Sequence, residues 1–91
     1  MGNILMNGFT LSGGGASPEQ YEVFKDGALV AYFRLRYGEF TVKCPDAAGE
    51  IVFEASPVGD GRFDDNERDE FLNKGLGAVA EWLPRQSGTQ K

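Results

Sequence analysis

Apolar and polar residues alternate most regularly in the middle of the chain. The runs 21–25 and Ala28–Arg36 are rich in aromatic and branched side chains and flank Asp26-Gly27. That dipeptide suits a two-residue hairpin turn, which needs positive φ at both positions. Tyr37-Gly38 stands in the same relation to Arg36 and to the run Glu39–Cys44. Around this second turn Leu35 falls opposite Phe40, Phe33 opposite Val42 and Ala31 opposite Cys44, all apolar. Arg36 meets Glu39, Arg34 meets Thr41 and Tyr32 meets Lys43. Paired residues share a face, and a one-residue slip would mix the two sets. The same rule, carried across the first turn, pairs Lys25 with Ala28, Val23 with Val30 and Tyr21 with Tyr32. A fourth run, Glu50–Ala55, alternates Ile51, Phe53 and Ala55 with Glu50, Val52 and Glu54. The first three are expected on the apolar face.

The period then changes. Phe71, Leu72, Leu76, Val79, Ala80, Trp82 and Leu83 fall on one helical arc, with Glu70, Asn73, Lys74, Gly77 and Glu81 opposite. The helix is expected to begin near Asp64, because Asp64 and Glu67 have the spacing of a capping box. It is expected to stop at Pro84. Gly75 lies on the apolar arc, where the missing side chain would let the helix sit close to a sheet. A sheet with one apolar face and a helix with one apolar face bury each other. The expected fold is therefore α+β: a four-stranded antiparallel β-meander packed on one C-terminal amphipathic helix. Residues 19–84 form the single domain in this reading. Residues 1–18 are either flexible or a weak hairpin about Asn7-Gly8, and residues 85–91 are a disordered tail.

Charge changes the picture more than composition does. The net charge is −5 over 91 residues. Residues 1–45 are balanced, residues 46–70 carry −7 and residues 71–91 carry +2. An acidic middle disfavours simple binding to a phosphate backbone. The chain has no His and one Cys, so an intrachain disulfide is impossible and a structural zinc site lacks ligands. The opening MGNILMNGFTLSGGG has neither the basic flank nor the long apolar run of a secretory leader. Met6 stands where a myristoylation signal has Ser or Thr. The expectation is a cytoplasmic protein without membrane contact.

Two surfaces are candidates for binding, the acidic run first and the sheet face as its alternative. The acidic run 60–70 holds Asp60, Asp65, Asp69 and Glu70, which would present a negative surface to a basic partner protein. The solvent face of the sheet would show Tyr21, Tyr32, Arg34, Arg36 and Lys43, with Lys25, Val23 and Val30 beside them. Aromatics among bases on an open sheet are one way to stack single-stranded nucleic acid, although ordinary cross-strand pairing accounts for the same residues.

The run SPVGDGRFDDNE, residues 56–67, resembles the second half of an EF-hand loop: Asp60 at its fifth position, Gly61 at its sixth, Asp64 at its ninth and Glu67 at its twelfth. Ser56 and Val58 replace the carboxylates of the first half. The resemblance implies calcium as a candidate ligand of Asp60, Asp64 and Glu67, whereas cap chemistry alone also explains acids there.

Catalysis has little support. The usual acid–base partner, His, is missing, and Cys44 falls on the buried face. The expected function is a non-catalytic, acidic protein-interaction module. At the level of class this is similar to phage- and mobile-element-encoded inhibitors of nucleic-acid-handling host proteins, without a motif behind the analogy. A calcium-responsive module is the second reading and single-strand nucleic-acid binding the third.

Overall fold

The computed structural model describes residues 2–14, 19–58 and 63–87. Six strands follow one another in the sheet in chain order: β1 (Gly2–Met6), β2 (Phe9–Gly13), β3 (Glu19–Lys25), β4 (Ala28–Arg36), β5 (Glu39–Cys44) and β6 (Glu50–Ala55). All neighbouring pairs are antiparallel. Among the described residues one helix, α1 (Arg68–Ser87), follows the sheet. The class is α+β as expected, but the meander has six strands rather than four. The hairpin about Asn7-Gly8 forms and pairs onto β3 through Leu11↔Val23 and its neighbours, so the sheet begins at Gly2.

Three turns of one kind build this meander. Asn7, Asp26 and Tyr37 have φ of 53°, 53° and 55°, and the glycine after each has φ of 83°, 83° and 73°. Positive φ at both positions matches the right-handed twist of the flanking strands, and glycine takes the second position at no steric cost.

The β4–β5 register is the expected one throughout, from Arg36↔Glu39 to Tyr32↔Lys43. The β3–β4 register is not. Lys25↔Ala28 and Phe24↔Leu29 pair as the turn dictates, but Val23 then pairs with Ala31 and Tyr21 with Phe33. Val30 is left over as a bulge, and a bulge changes which face the rest of a strand presents. Tyr21 and Val23 therefore face the core, 4% and 0% exposed. This corrects the placement of Tyr21 and Val23 on the solvent face. Lys25 is corrected as well, since its ammonium lies 5.0 Å from the centre of the buried Phe9 ring. Burying two large side chains, worth about 1.5–3 kcal/mol each, outweighs one irregular ladder step.

A second bulge acts in the opposite sense. Val42 pairs with Phe53 but Lys43 pairs with Ile51, leaving Val52 over. Ile51 is thereby turned outward and is 49% exposed, against the expectation that it joins the apolar face. Glu50 comes opposite Cys44 and accepts a hydrogen bond of 2.9 Å from Trp82 Nε1.

α1 lies over β4, β5 and β6. Leu72, Gly75, Leu76, Val79 and Trp82 are buried, Phe71 and Leu83 half-buried. Ala80 is exposed, a correction of its place on the apolar arc. The helix also runs through Pro84 to Ser87. Proline removes one hydrogen bond, here the one to the carbonyl of Ala80. That residue is on the solvent side, and the last carbonyls of a helix lack partners in any case. At the front, a single turn over residues 65–67 precedes α1, with the Asp64 carbonyl accepting from Glu67 N at 3.0 Å and Arg68 N at 3.1 Å.

Gly75 does allow close packing. A Cβ built there would lie 3.0 Å from Phe33 Cζ and 3.1 Å from Val42 Cγ2, whereas one on Gly77 would meet nothing within 4 Å. Gly77→Ala is expected to stabilise the protein by about 1 kcal/mol, the helix-propensity difference. Gly75→Leu should destabilise it by about 1–3 kcal/mol through overpacking. Urea midpoints of the two variants shifted in the same direction would contradict this seating of the helix.

Candidate functional site

α1 covers one face of the sheet, and no element among the described residues overlies the other. Registered pairs place Tyr32, Lys43 and Ile51 in one row across β4, β5 and β6, and Gln20, Arg34, Thr41 and Glu54 in the next. Arg36 and Glu39 follow at the β4–β5 turn. Of the sheet-face candidates, the structure thus brings Tyr32, Arg34, Arg36 and Lys43 together and sends Tyr21 inward. Apolar side chains missed in the sequence share this face: Leu29 is 37% exposed and Leu5 80%. Leu5, Thr10, Phe24 and Leu29 form one cross-strand row.

The face is uneven. Leu29, Tyr32 and Glu22 line a depression of about 290 Å³ against Asp46, Ala47 and Ala48 of the β5–β6 loop. Arg34, Arg36, Tyr37, Glu39 and Thr41 line another of about 240 Å³. Tyr32, which lines the first of these, donates its hydroxyl hydrogen to Gln20 Oε1 at 2.6 Å.

The acidic candidates are distributed differently. Asp60 lies outside the described residues. Asp65 is bound to Arg68 Nη1 at 2.9 Å and Glu70 to Lys74 Nζ at 3.0 Å. Asp69 is exposed in the first turn of α1. Glu67 is buried, with Oε1 accepting from Val58 N and Oε2 from Asp64 N, both at 3.0 Å. The bond to Asp64 N is one half of a capping box, and the bond to Val58 ties the preceding loop to the helix. Both oxygens of the twelfth-position carboxylate in the EF-hand comparison thus serve main-chain donors. Among the described residues, no three His, Cys, Asp or Glu side chains gather as metal ligands.

A polar cluster that the sequence reading did not single out holds this segment in place. Glu19 is 2% exposed. Its carboxylate accepts from Arg68 Nε at 2.7 Å and Nη2 at 3.2 Å, from Phe63 N at 2.9 Å and from the Tyr21 hydroxyl at 2.5 Å. Arg68 Nη2 also donates to the Phe63 carbonyl at 3.1 Å. Burial alone would push the Glu19 carboxyl up. The bonds from Arg68, Tyr21 and the Phe63 amide outweigh it, and the carboxyl is held below its usual range. Burial and the neighbouring carboxylate push the Tyr21 phenol well above its ordinary value. The bonds to Glu19 and Asp65 raise the Arg68 guanidinium. The signal for Glu19 was its parity: it stands two residues before Tyr21 and four before Val23, so once these face inward it must too.

Cys44 is buried, and burial with the nearby Glu50 charge pushes its thiol up to about 11. A thiol so protonated is a poor nucleophile at neutral pH. No helix among the described residues is long and apolar enough to cross a membrane.

Compared with protein-family models, with curated proteins and with solved structures, the chain matches none.

Proposed function

We propose that this chain is a non-catalytic protein-interaction module, of the regulator or inhibitor type, that meets its partner with the uncovered face of its sheet. The observation that carries the reading is the display on that face of Leu5, Leu29 and Ile51, all exposed, with Ile51 in the row of Tyr32 and Lys43 and Leu29 lining one depression with Tyr32. Apolar and aromatic side chains rimmed by charges are the usual make-up of a docking surface. The acidic segment is the weaker contender, because Asp65 and Glu70 are engaged with Arg68 and Lys74. A nucleic-acid strand fits less well, because Glu22, Glu39 and Glu54 are exposed on the face that carries the bases.

The test is capture of partners from the native host with three forms of the full chain. Wild type and the pair Asp69→Lys/Glu70→Lys should retain the same partner, and Tyr32→Ala/Ile51→Lys should lose it. Asp65 is left alone because it binds Arg68, and a circular-dichroism melt must accompany each form. A partner lost by the acidic reversals and kept by the sheet-face pair would move the docking surface to the helix start.

A further inference from the structure

Arg34 and Arg36 are two residues apart on one strand and on the same face. No carboxylate within the described residues forms an ion pair with either guanidinium, although Glu39 is directly opposite Arg36. Arg34 Nε is shut off from solvent and has no acceptor among the described residues. A buried guanidinium donor left unsatisfied is costly, and most such donors in proteins have a partner. Arg36 instead rests on its neighbour, with Cζ 4.8 Å from the centre of the Tyr37 ring and Nη2 donating to the Tyr37 hydroxyl at 3.3 Å. Tyr37 is itself anomalous. It is 80% exposed and holds a φ of 55°, a conformation that costs a bulky residue and that Asn or Gly would adopt more cheaply. Strain kept at an exposed position is a reason to look for a contact made there.

We infer that the depression between Arg34, Arg36 and Tyr37 is a carboxylate-recognition site, which takes an acidic side chain of the partner protein. This rests on the reading of the uncovered sheet face as the docking side. The guanidinium of Arg34 gives up no hydrogen bond to any described residue when it turns outward, and in turning it offers Nε–H and Nη–H together, the fork that matches a carboxylate. Arg36, held by the Tyr37 ring, supplies the second positive charge. Tyr37 is a positioning residue in this arrangement. A single acidic group fits better than a polyanion: a phosphate backbone gains affinity by neutralising many charges in a row, and here Glu22, Glu39 and Glu54 surround two arginines and Lys43.

The test uses the full chain labelled with nitrogen-15, with the side-chain Nε–H signals of Arg34 and Arg36 as the readout. The probes are a blocked glycyl-glutamyl-glycine peptide, its glutaminyl counterpart and decathymidylate. The glutamyl peptide should shift both signals saturably and the glutaminyl peptide should not. Arg34→Gln and Arg36→Gln should each weaken binding about tenfold or more, the weight of a hydrogen bond to a charged group. Glu39→Gln should tighten it. Tyr37→Asn should raise the melting midpoint and weaken binding at once, a combination that a purely structural tyrosine would not give. Equal shifts from both peptides, no shift from the glutamyl peptide, or tighter binding of decathymidylate would each overturn the inference. A host partner lost by Tyr32→Ala/Ile51→Lys but kept by both arginine variants would leave the docking face standing and remove only this site.

Discussion

Phe40→Ala is expected to cost about 3–5 kcal/mol, the range for truncating a buried aromatic. A chain of this length has roughly 5–10 kcal/mol of stability in all, so the variant should be barely folded at room temperature. The reason lies in where Phe40 sits. It is fully buried, and its ring makes edge contacts with Phe33 at 5.5 Å, Phe53 at 6.1 Å, Phe63 at 5.1 Å and Phe71 at 6.4 Å. These partners come from β4, β6, the loop before the helix and α1 itself, so one cavity would loosen four separate attachments. Relaxation into the cavity is poor when its walls belong to different elements, and such sites fall at the costly end of the range. Phe24→Ala, a half-buried residue on the other face, should cost no more than about 1–2 kcal/mol on the basis of area. Urea midpoints compare the two directly. Equal losses would mean that the sheet has no preferred inner face.

The sequence pattern carries β4 and β5 because their two faces differ at every paired position, from Arg36 and Glu39 to Tyr32 and Lys43. A slip there would expose Phe33, Leu35, Phe40 and Val42 together, so no other register competes. It does not carry the faces of β3 or of the start of β6, although Phe53 and Ala55 pack on the core as expected, and the physical reason is the same for both. Each is joined to a neighbour through an extra valine, Val30 or Val52, which looks like any other branched strand residue until the ladder is built. Counting from a turn cannot reveal a bulge, and each bulge reverses the face of every residue beyond it. That is why Tyr21 was expected outside and Ile51 inside. At the N-terminal hairpin Asn7-Gly8 gave the turn, but five residues such as GNILM show too little alternation to specify a strand without its partner. The binding candidates divide in the same way. Tyr32, Arg34, Arg36 and Lys43 were legible from the secure hairpin. The left-handed Tyr37 follows from reading Tyr37-Gly38 as a two-residue turn, whereas the lack of an ion pair at either arginine among the described residues is a three-dimensional fact with no one-dimensional trace.

The buried pair of Glu19 and Arg68 should show the second large effect, and an asymmetric one. The Glu19 side chain is 1% exposed and that of Arg68 is 21% exposed. Arg68→Ala strands a carboxylate away from water, and removing one partner of a buried ion pair costs about 3–5 kcal/mol. Glu19→Gln leaves a guanidinium that still has Asp65, the Phe63 carbonyl and some solvent, so its cost should be smaller, about 1–3 kcal/mol. The double replacement Glu19→Gln/Arg68→Met should recover much of the loss, because no buried charge remains. The dependence on pH separates this account from simple loss of packing. In the wild type the Glu19 carboxyl is held below its usual range. Its contribution is therefore fully present above the unfolded value, about 4.3, and is lost as pH falls through the lower folded value. In Arg68→Ala the bonds from the guanidinium are gone while burial remains, so the folded value should rise above the unfolded one. Acidification through that window should then stabilise the variant where it leaves the wild type unchanged or weakens it. Urea unfolding at a series of pH values reads the slope directly. An Arg68→Ala variant that loses stability on acidification in parallel with the wild type would show that Glu19 keeps its charge in the fold without Arg68, and would sink this account of what anchors the acidic segment to β3.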